Sequence, residues 1–144
     1  MIRQAEKQDM AAAGELAALL WPGHSAEEMA ASLAGLLSNG EARVFLAFEE
    51  GQAVGFAQCQ LRRDYVEGTH TSPVGYLEGI FVREEFRSRG LARALLAACE
   101  DWARAMGCTE FASDCELDNR DSLRFHMALN FTEANRIICF TKKL

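Results

Sequence analysis

The stretch that most constrains this chain runs from Val74 to Ala94, V-G-Y-L-E-G-I-F-V-R-E-E-F-R-S-R-G-L-A-R-A. It opens as an apolar strand, breaks into a charged turn, and passes through Arg87-Ser88-Arg89-Gly90-Leu91-Ala92 into a helix. A strand that leads two arginines and a run of backbone N–H groups to a helix start makes an anion-binding device. Gly90 and Ala92 leave room for anion oxygens to approach the main chain, and Arg87 and Arg89 can add charge-assisted hydrogen bonds. Two commoner phosphate loops are absent, since there is neither a G-x-x-x-x-G-K-[ST] nor a G-x-G-x-x-G segment. R-x-x-G-x-A taken alone also fits a surface turn that happens to carry arginines.

The rest of the chain supplies strands and helices around this stretch. Ile2 opens a short strand, and Asp9 can cap a helix through Leu20 with Ala13, Leu16, Ala17 and Leu20 on one face. Trp21-Pro22-Gly23-His24 stops it. Ser25-Ala26-Glu27-Glu28 reads as a capping box for a second helix carrying Met29, Leu33, Leu36 and Leu37, ended by Asn39-Gly40. Arg43–Phe48 and Ala53–Leu61 form a hairpin by spacing, and the polar run 62–73 is a loop. After the Val74–Val82 strand come a helix over Arg89–Met106 with Gly107 behind it, a strand over Glu110–Cys115, a helix over Asn119–Leu129, and a last strand over Phe131–Lys142. The strand–helix–strand from Val74 to Cys115 is expected to be a parallel crossover. The order β-α-α-β-β-β-α-β-α-β describes one mixed α/β domain over residues 1–144.

Composition removes several classes. With 15 Lys and Arg against 21 Asp and Glu the net charge is −6, which argues against a general nucleic-acid binder and is compatible with a cationic partner. No apolar run approaches the roughly 18 residues of a membrane span, and Met1-Ile2-Arg3-Gln4 does not read as a signal peptide. Cys59, Cys99, Cys108, Cys115 and Cys139 are odd in number and contain no C-x-x-C pair. They read as buried free thiols in a reducing cytoplasm rather than as zinc ligands or disulfides, and His24 and His70 offer no metal spacing.

Arg87-x-x-Gly90-x-Ala92, placed after a strand, resembles motif A of the GNAT (Gcn5-related N-acetyltransferase) superfamily, [QR]-x-x-G-x-[GA]. The element order is also the GNAT order, so the resemblance spans nearly the whole chain. Phe125-His126-Met127-Ala128-Leu129-Asn130-Phe131 is similar to the family's F-Y-x-x-L-G-F segment, with His126 in place of a tyrosine proposed as general acid and Asn130 in place of a glycine. Within the superfamily the chain most resembles the aminoglycoside 6′-N-acetyltransferases. The matching pieces are Leu20-Trp21-Pro22-Gly23-His24, Asp64-Tyr65-Val66-Glu67-Gly68, Ser72-Pro73, Leu77-Glu78-Gly79-Ile80-Phe81-Val82, and Ala112-Ser113-Asp114 with Asn119.

The resemblance implies a mostly antiparallel sheet with a splayed central parallel strand pair, flanked by helices. It implies acetyl-CoA as co-substrate, with the pantetheine arm on the backbone of Ile80, Phe81 and Val82. An N–H near Ile80 or Phe81 would polarise the thioester carbonyl, and Gly79 would sit at a bulge. Arg87, Ser88, Arg89, Gly90, Leu91, Ala92, Arg93 and Asn119 would complete the cofactor site. Glu78 and Asp114 would bind the amine and act as possible bases, joined in acceptor binding by Trp21, Tyr65 and Asn135. The expected partner is a cationic aminoglycoside, with neither nucleic acid nor membrane involved. The apolar run Ile137–Phe140 suits either strand pairing in a homodimer or a place in the core. A GNAT enzyme for another small amine or a protein N-terminus, and a non-catalytic acyl-CoA sensor, are the alternative readings.

Overall fold

The computed structural model describes residues 1–144. Its sheet has five strands in the order β1-β2-β3-β4-β5: β1 (Ile2–Gln4), β2 (Ala42–Glu49), β3 (Gln52–Arg62), β4 (Val74–Val82) and β5 (Phe111–Ala112). The first three pairings are antiparallel and β4–β5 is parallel. The parallel step is the crossover expected from the sequence, made through α3 (Leu91–Ala105). Helices α1 (Met10–Leu20), α2 (Ala26–Ala34) and α4 (Arg120–Ala128) complete the domain.

Two apolar layers form because β2 and β3 alternate their side chains between the two faces, with a bulge at Val54 shifting the phase along β3. One layer joins Leu16, Ala17 and Leu33 of the first two helices to Val44, Leu46 and Phe56. The other joins Leu95, Leu96 and Cys99 of α3 to Val54, Ala57, Cys59 and Leu77. Cys59 and Cys99 meet inside that layer, where a hydrogen bond between them, followed by burial, pushes the Cys99 thiol well up. All five cysteines are free; Cys59, Cys99 and Cys108 are buried as expected, whereas Cys115 and Cys139 are exposed, contrary to expectation, because both lie on stretches that no strand holds against the core.

Local signals were honoured unevenly. The hairpin turns through Glu50 and Gly51 with φ of 50° and 78°, the pair of positive angles that matches strand twist. Asp9 precedes α1 but makes no capping bond; its carboxylate accepts from Arg3 (2.7 and 2.9 Å) and from the Glu6 N–H (2.7 Å). Only half of the expected capping box forms, with Ser25 Oγ accepting from Glu28 N–H at 3.0 Å while Glu28 faces His24. The second helix stops at Ala34, so Leu36 and Leu37 pack from the turn behind it. Asn39 accepts from Glu41 N–H (2.8 Å) instead of adopting positive φ.

The largest departures lie at the C-terminal end. The strand expected over Glu110–Cys115 is paired only at Phe111 and Ala112. The strand expected over Phe131–Lys142 is absent: residues 131–144 form no secondary structure, and Ile137, Ile138 and Phe140 are 63, 81 and 87% exposed. The parallel pair therefore lies at the end of the sheet rather than in its centre.

Candidate active site

The short β4–β5 pairing creates a fork. Gly75 pairs with Phe111 and Tyr76 with Ala112, after which the strands separate. Gly75 is required at the join, because a Cβ there would stand 2.6 Å from the Phe111 ring and 2.7 Å from Ala103 Cβ. Beyond the fork one flank of β4 is unpaired. Arg83 N–H donates to Val54 O at 2.8 Å, so alternation along the antiparallel ladder turns the N–H of Phe81 toward β3 and those of Ile80 and Val82 toward the open flank. The Phe81 main chain, expected to share in ligand binding, is instead committed to the sheet.

The bulge lies beside that open edge. Gln58 pairs with Gly79 while Cys59 pairs with Leu77, which leaves Glu78 as the extra residue. Trp21 lies directly on it: a Cβ on Gly79 would meet the indole Cζ2 at 2.5 Å. The indole also meets Phe56 edge-on at 5.9 Å. Trp21, His24, Glu28, Met29, Ser32 and Gln58 line a cleft of about 540 Å³ next to this bulge.

Below the open flank, the turn from Arg87 to Leu91 delivers a bare helix end. Ser88 and Gly90 have φ of 63° and 80°, and no side chain caps α3. Helical bonding begins with Ala94 N–H to Gly90 O (3.0 Å), so the N–H groups of Leu91, Ala92 and Arg93 are left for an anion. Arg87 folds back, its Nε donating to Val82 O at 2.8 Å, and Arg89 lies over Phe86. Arg93 donates to the Ala128 carbonyl at 3.2 Å, and Asn119 Oδ1 accepts from Ser122 N–H at 3.0 Å. Those two residues hold α4, the first at its C-terminal end and the second as its N-cap.

The residues expected at the acceptor fall into two groups. Glu78 and Asp114 come together through intermediaries: Arg62 donates to both Glu78 oxygens (3.0 to 3.1 Å), and Tyr76 Oη donates to Asp114 Oδ2 (2.5 Å). Trp21 joins them at the bulge. Tyr65 is 77% exposed in the 62–73 loop, and Asn135 donates to Glu67 of that loop at 2.7 Å, so neither touches the carboxylate pair. His126 faces the fork from α4. Its Nδ1 lies 2.7 Å from Ser122 O, which can only accept, so in the neutral ring Nε2 accepts from Ser113 Oγ at 2.8 Å.

The acetyltransferase (GNAT) family profile matches residues 10–131. The chain belongs to that family. It is 42% identical over 144 residues to an aminoglycoside N(6′)-acetyltransferase type 1 of Stenotrophomonas maltophilia, covering 99% of this chain and 93% of the relative. A counterpart from Salmonella enteritidis is 41% identical over 142 residues, covering 99% and 98%. Among solved structures, the apo aminoglycoside antibiotic 6′-N-acetyltransferase AAC(6′)-IG from Acinetobacter haemolyticus superposes with a TM-score of 0.95 at 38% identity, covering 100% of this chain and 99% of the other. AAC(6′)-Iy, in complex with the bisubstrate analog CoA-S-monomethyl-acetylneamine, superposes with a TM-score of 0.94 at 40% identity, covering 100% and 98%.

Within this GNAT fold, Arg62, Tyr76 and Ser113 escape a reading of the sequence. Tyr76 and Glu78 differ by two along one strand, and Gln60 pairs with Tyr76, so a period-two reading of β3 and β4 would have placed Arg62, Tyr76 and Glu78 on one face. Ser113 carried no such signal, because the strand it belongs to stops pairing one residue earlier.

Proposed function

We propose that this chain is an acetyl-CoA-dependent N-acetyltransferase that acetylates the 6′-amine of aminoglycosides, the acceptor amine attacking the thioester directly. The carrying observation is the fork itself, an open strand edge running from an uncapped helix start to a pair of carboxylates beside an aromatic floor. Acetyl-CoA supplies the activated acetyl group. The bare N–H groups of Leu91, Ala92 and Arg93 suit its pyrophosphate, with Gly90 leaving the approach clear of any Cβ. Ile80 and Val82 offer main-chain groups to the pantetheine arm, and Ile80 N–H is placed to bind a carbonyl oxygen that gains negative charge, a role whose loss costs roughly 10²–10³ in rate.

The acceptor side is anionic and aromatic, as a polycationic sugar requires. Asp114 and Glu78 attract the ammonium groups, and Asp114 can take the proton that the amine loses, directly or through water. Trp21 gives an apolar wall to a sugar ring, and the adjoining cleft lined by Glu28 and Ser32 has room for the remainder of the molecule. Tyr65 and Asn135 approach from the 62–73 loop and the segment that packs on it. Acetylation removes one positive charge from the antibiotic, which is the basis of resistance.

A homodimer is part of this proposal. Ile137, Ile138 and Phe140 are strongly exposed and unpaired although their sequence favours a strand, and a second copy offers the edge they lack. The cytoplasm, where coenzyme A and reduced thiols coexist, suits the free cysteines. Coenzyme A release across a panel of acceptors tests the activity. Tobramycin and kanamycin should support turnover and a 6′-hydroxy analogue should not; turnover with spermidine or a peptide amine alone would overturn the assignment.

A further inference from the structure

Asp114 and Glu78 are linked through the side chains of Tyr76 and Arg62. Tyr76 is 5% exposed, and its hydroxyl donates to Asp114 Oδ2 at 2.5 Å. Burial, then the hydrogen bond to Asp114, raise the Tyr76 phenol far above its ordinary range, so it stays a donor. The Arg62 guanidinium carbon lies 3.6 Å from the centre of the Tyr76 ring, and the same guanidinium forks onto Glu78. The chain of contacts is Asp114–Tyr76–Arg62–Glu78.

The two ends differ in charge. Arg62 forms an ion pair with Glu78 at 3.0 Å, with both side chains partly shielded. Asp114 takes part in no ion pair, and its side-chain partner is a neutral phenol. Asp114 lies beyond the last paired residue of β5, on backbone that the sheet does not hold. Its direction is therefore set by Tyr76, which β4 does hold.

We propose that Tyr76 and Arg62 are the positioning residues of the acceptor site: Tyr76 aims Asp114 with a neutral donor that leaves its negative charge for an incoming ammonium group, whereas Arg62 fixes Glu78 with a cation that offsets its charge. The inference rests on the acceptor site described above. Asp114 then receives the reacting amine with its charge unpaired, while Glu78 meets the sugar's other ammonium groups with its charge partly offset and its position fixed by Arg62. Holding the base in one rotamer acts on the reaction as orientation, not as bulk stability.

Double-mutant cycles on kcat/KM for tobramycin, at saturating acetyl-CoA, test this. Tyr76→Phe keeps the ring and the guanidinium stacking. It should lower kcat/KM about tenfold in the wild-type background, as loss of a hydrogen bond to a charged group does, and less than about twofold in Asp114→Asn. Arg62→Gln should show the same dependence on Glu78→Gln, while Tyr76→Phe and Glu78→Gln combine additively. Equal costs of Tyr76→Phe in both backgrounds, or no cost in either, would overturn the proposal. If Arg62→Gln does not fold, Arg62→Lys keeps the charge without the fork and should still depend on Glu78; independence from Glu78 overturns Arg62's part. The acceptor-site reading fails separately, if Asp114→Asn and Glu78→Gln each leave kcat/KM unchanged.

Discussion

The two flanks of β4 meet opposite fates. Toward β3 it makes eight register pairs along its whole length, and toward β5 only two. The paired flank fixes the strand in the domain. The other flank begins at the Gly75–Phe111 join and then opens, and the candidate chemistry lies along its opening. On the proposed function one strand thus separates stability from ligand contact by the side on which its main chain is satisfied. A site built this way needs no special loop, only a neighbour that leaves early.

Substitutions can test that division. The largest effect on turnover should come from Asp114→Asn at the open flank, a loss on the order of 10² in kcat/KM. Thermal unfolding should barely change, because Asp114 is exposed; a matching collapse of stability would mean the flanks are not separable. At the join, Gly75→Ala places a methyl against Phe111 and Ala103 and should destabilise the fold by roughly 1–3 kcal/mol, read as a lower urea midpoint. Gly90→Ala adds a Cβ into open space at φ 80°, so its cost is conformational, roughly 1–2 kcal/mol. It should raise the KM for acetyl-CoA several-fold while the KM for the aminoglycoside stays put.

Asp9→Asn gives the smallest expected change and a purely structural one. The Arg3 side chain holds the Asp9 carboxyl below its usual range. A depressed folded-state value means that the stability from Asp9 is complete above the ordinary carboxylate range near pH ~3.9 and fades as pH falls through the folded value. The variant should therefore unfold at a slightly lower temperature at pH 7, with a shallower decline on acidification below pH ~4. Its kcat/KM at neutral pH should match the wild type, since Asp9 lies outside the fork.

The sequence made the paired flank readable and the open flank only partly so. Apolar runs, their spacing and the turn residues between them located β2, β3 and β4 to within a residue or two, because burial favours such runs and turn chemistry marks their ends locally. Gly107 and Asn130 stop their helices with φ of 90° and 68° as their types suggest. The failures share a cause: pairing is decided by a partner edge, which local composition does not report. Phe111 to Cys115 has the residues of a strand and pairs for two of them. Residues 131–142 have stronger strand propensity than Ile2-Arg3-Gln4, yet β1 finds β2 and the C-terminal run finds no edge. Glu78 and Asp114 stood out as carboxylates in apolar strands, whereas Arg62 and Tyr76, unremarkable residues for their positions, were visible only once the register of β3 and β4 was known.

The main-chain groups of Ile80 and Val82 on the open flank carry a consequence for how such a protein can change over generations. No single replacement of a side chain deletes a backbone N–H, short of proline, so on the proposed function the thioester side is buffered against mutation. On the same proposal the acceptor side depends on the side chains of Asp114, Glu78, Trp21 and their supports, each a single codon away from another preference. Lineages built on this fork should hold their acetyl donor constant while their amine repertoires drift, and selection with a new antibiotic should enrich changes on the acceptor side first.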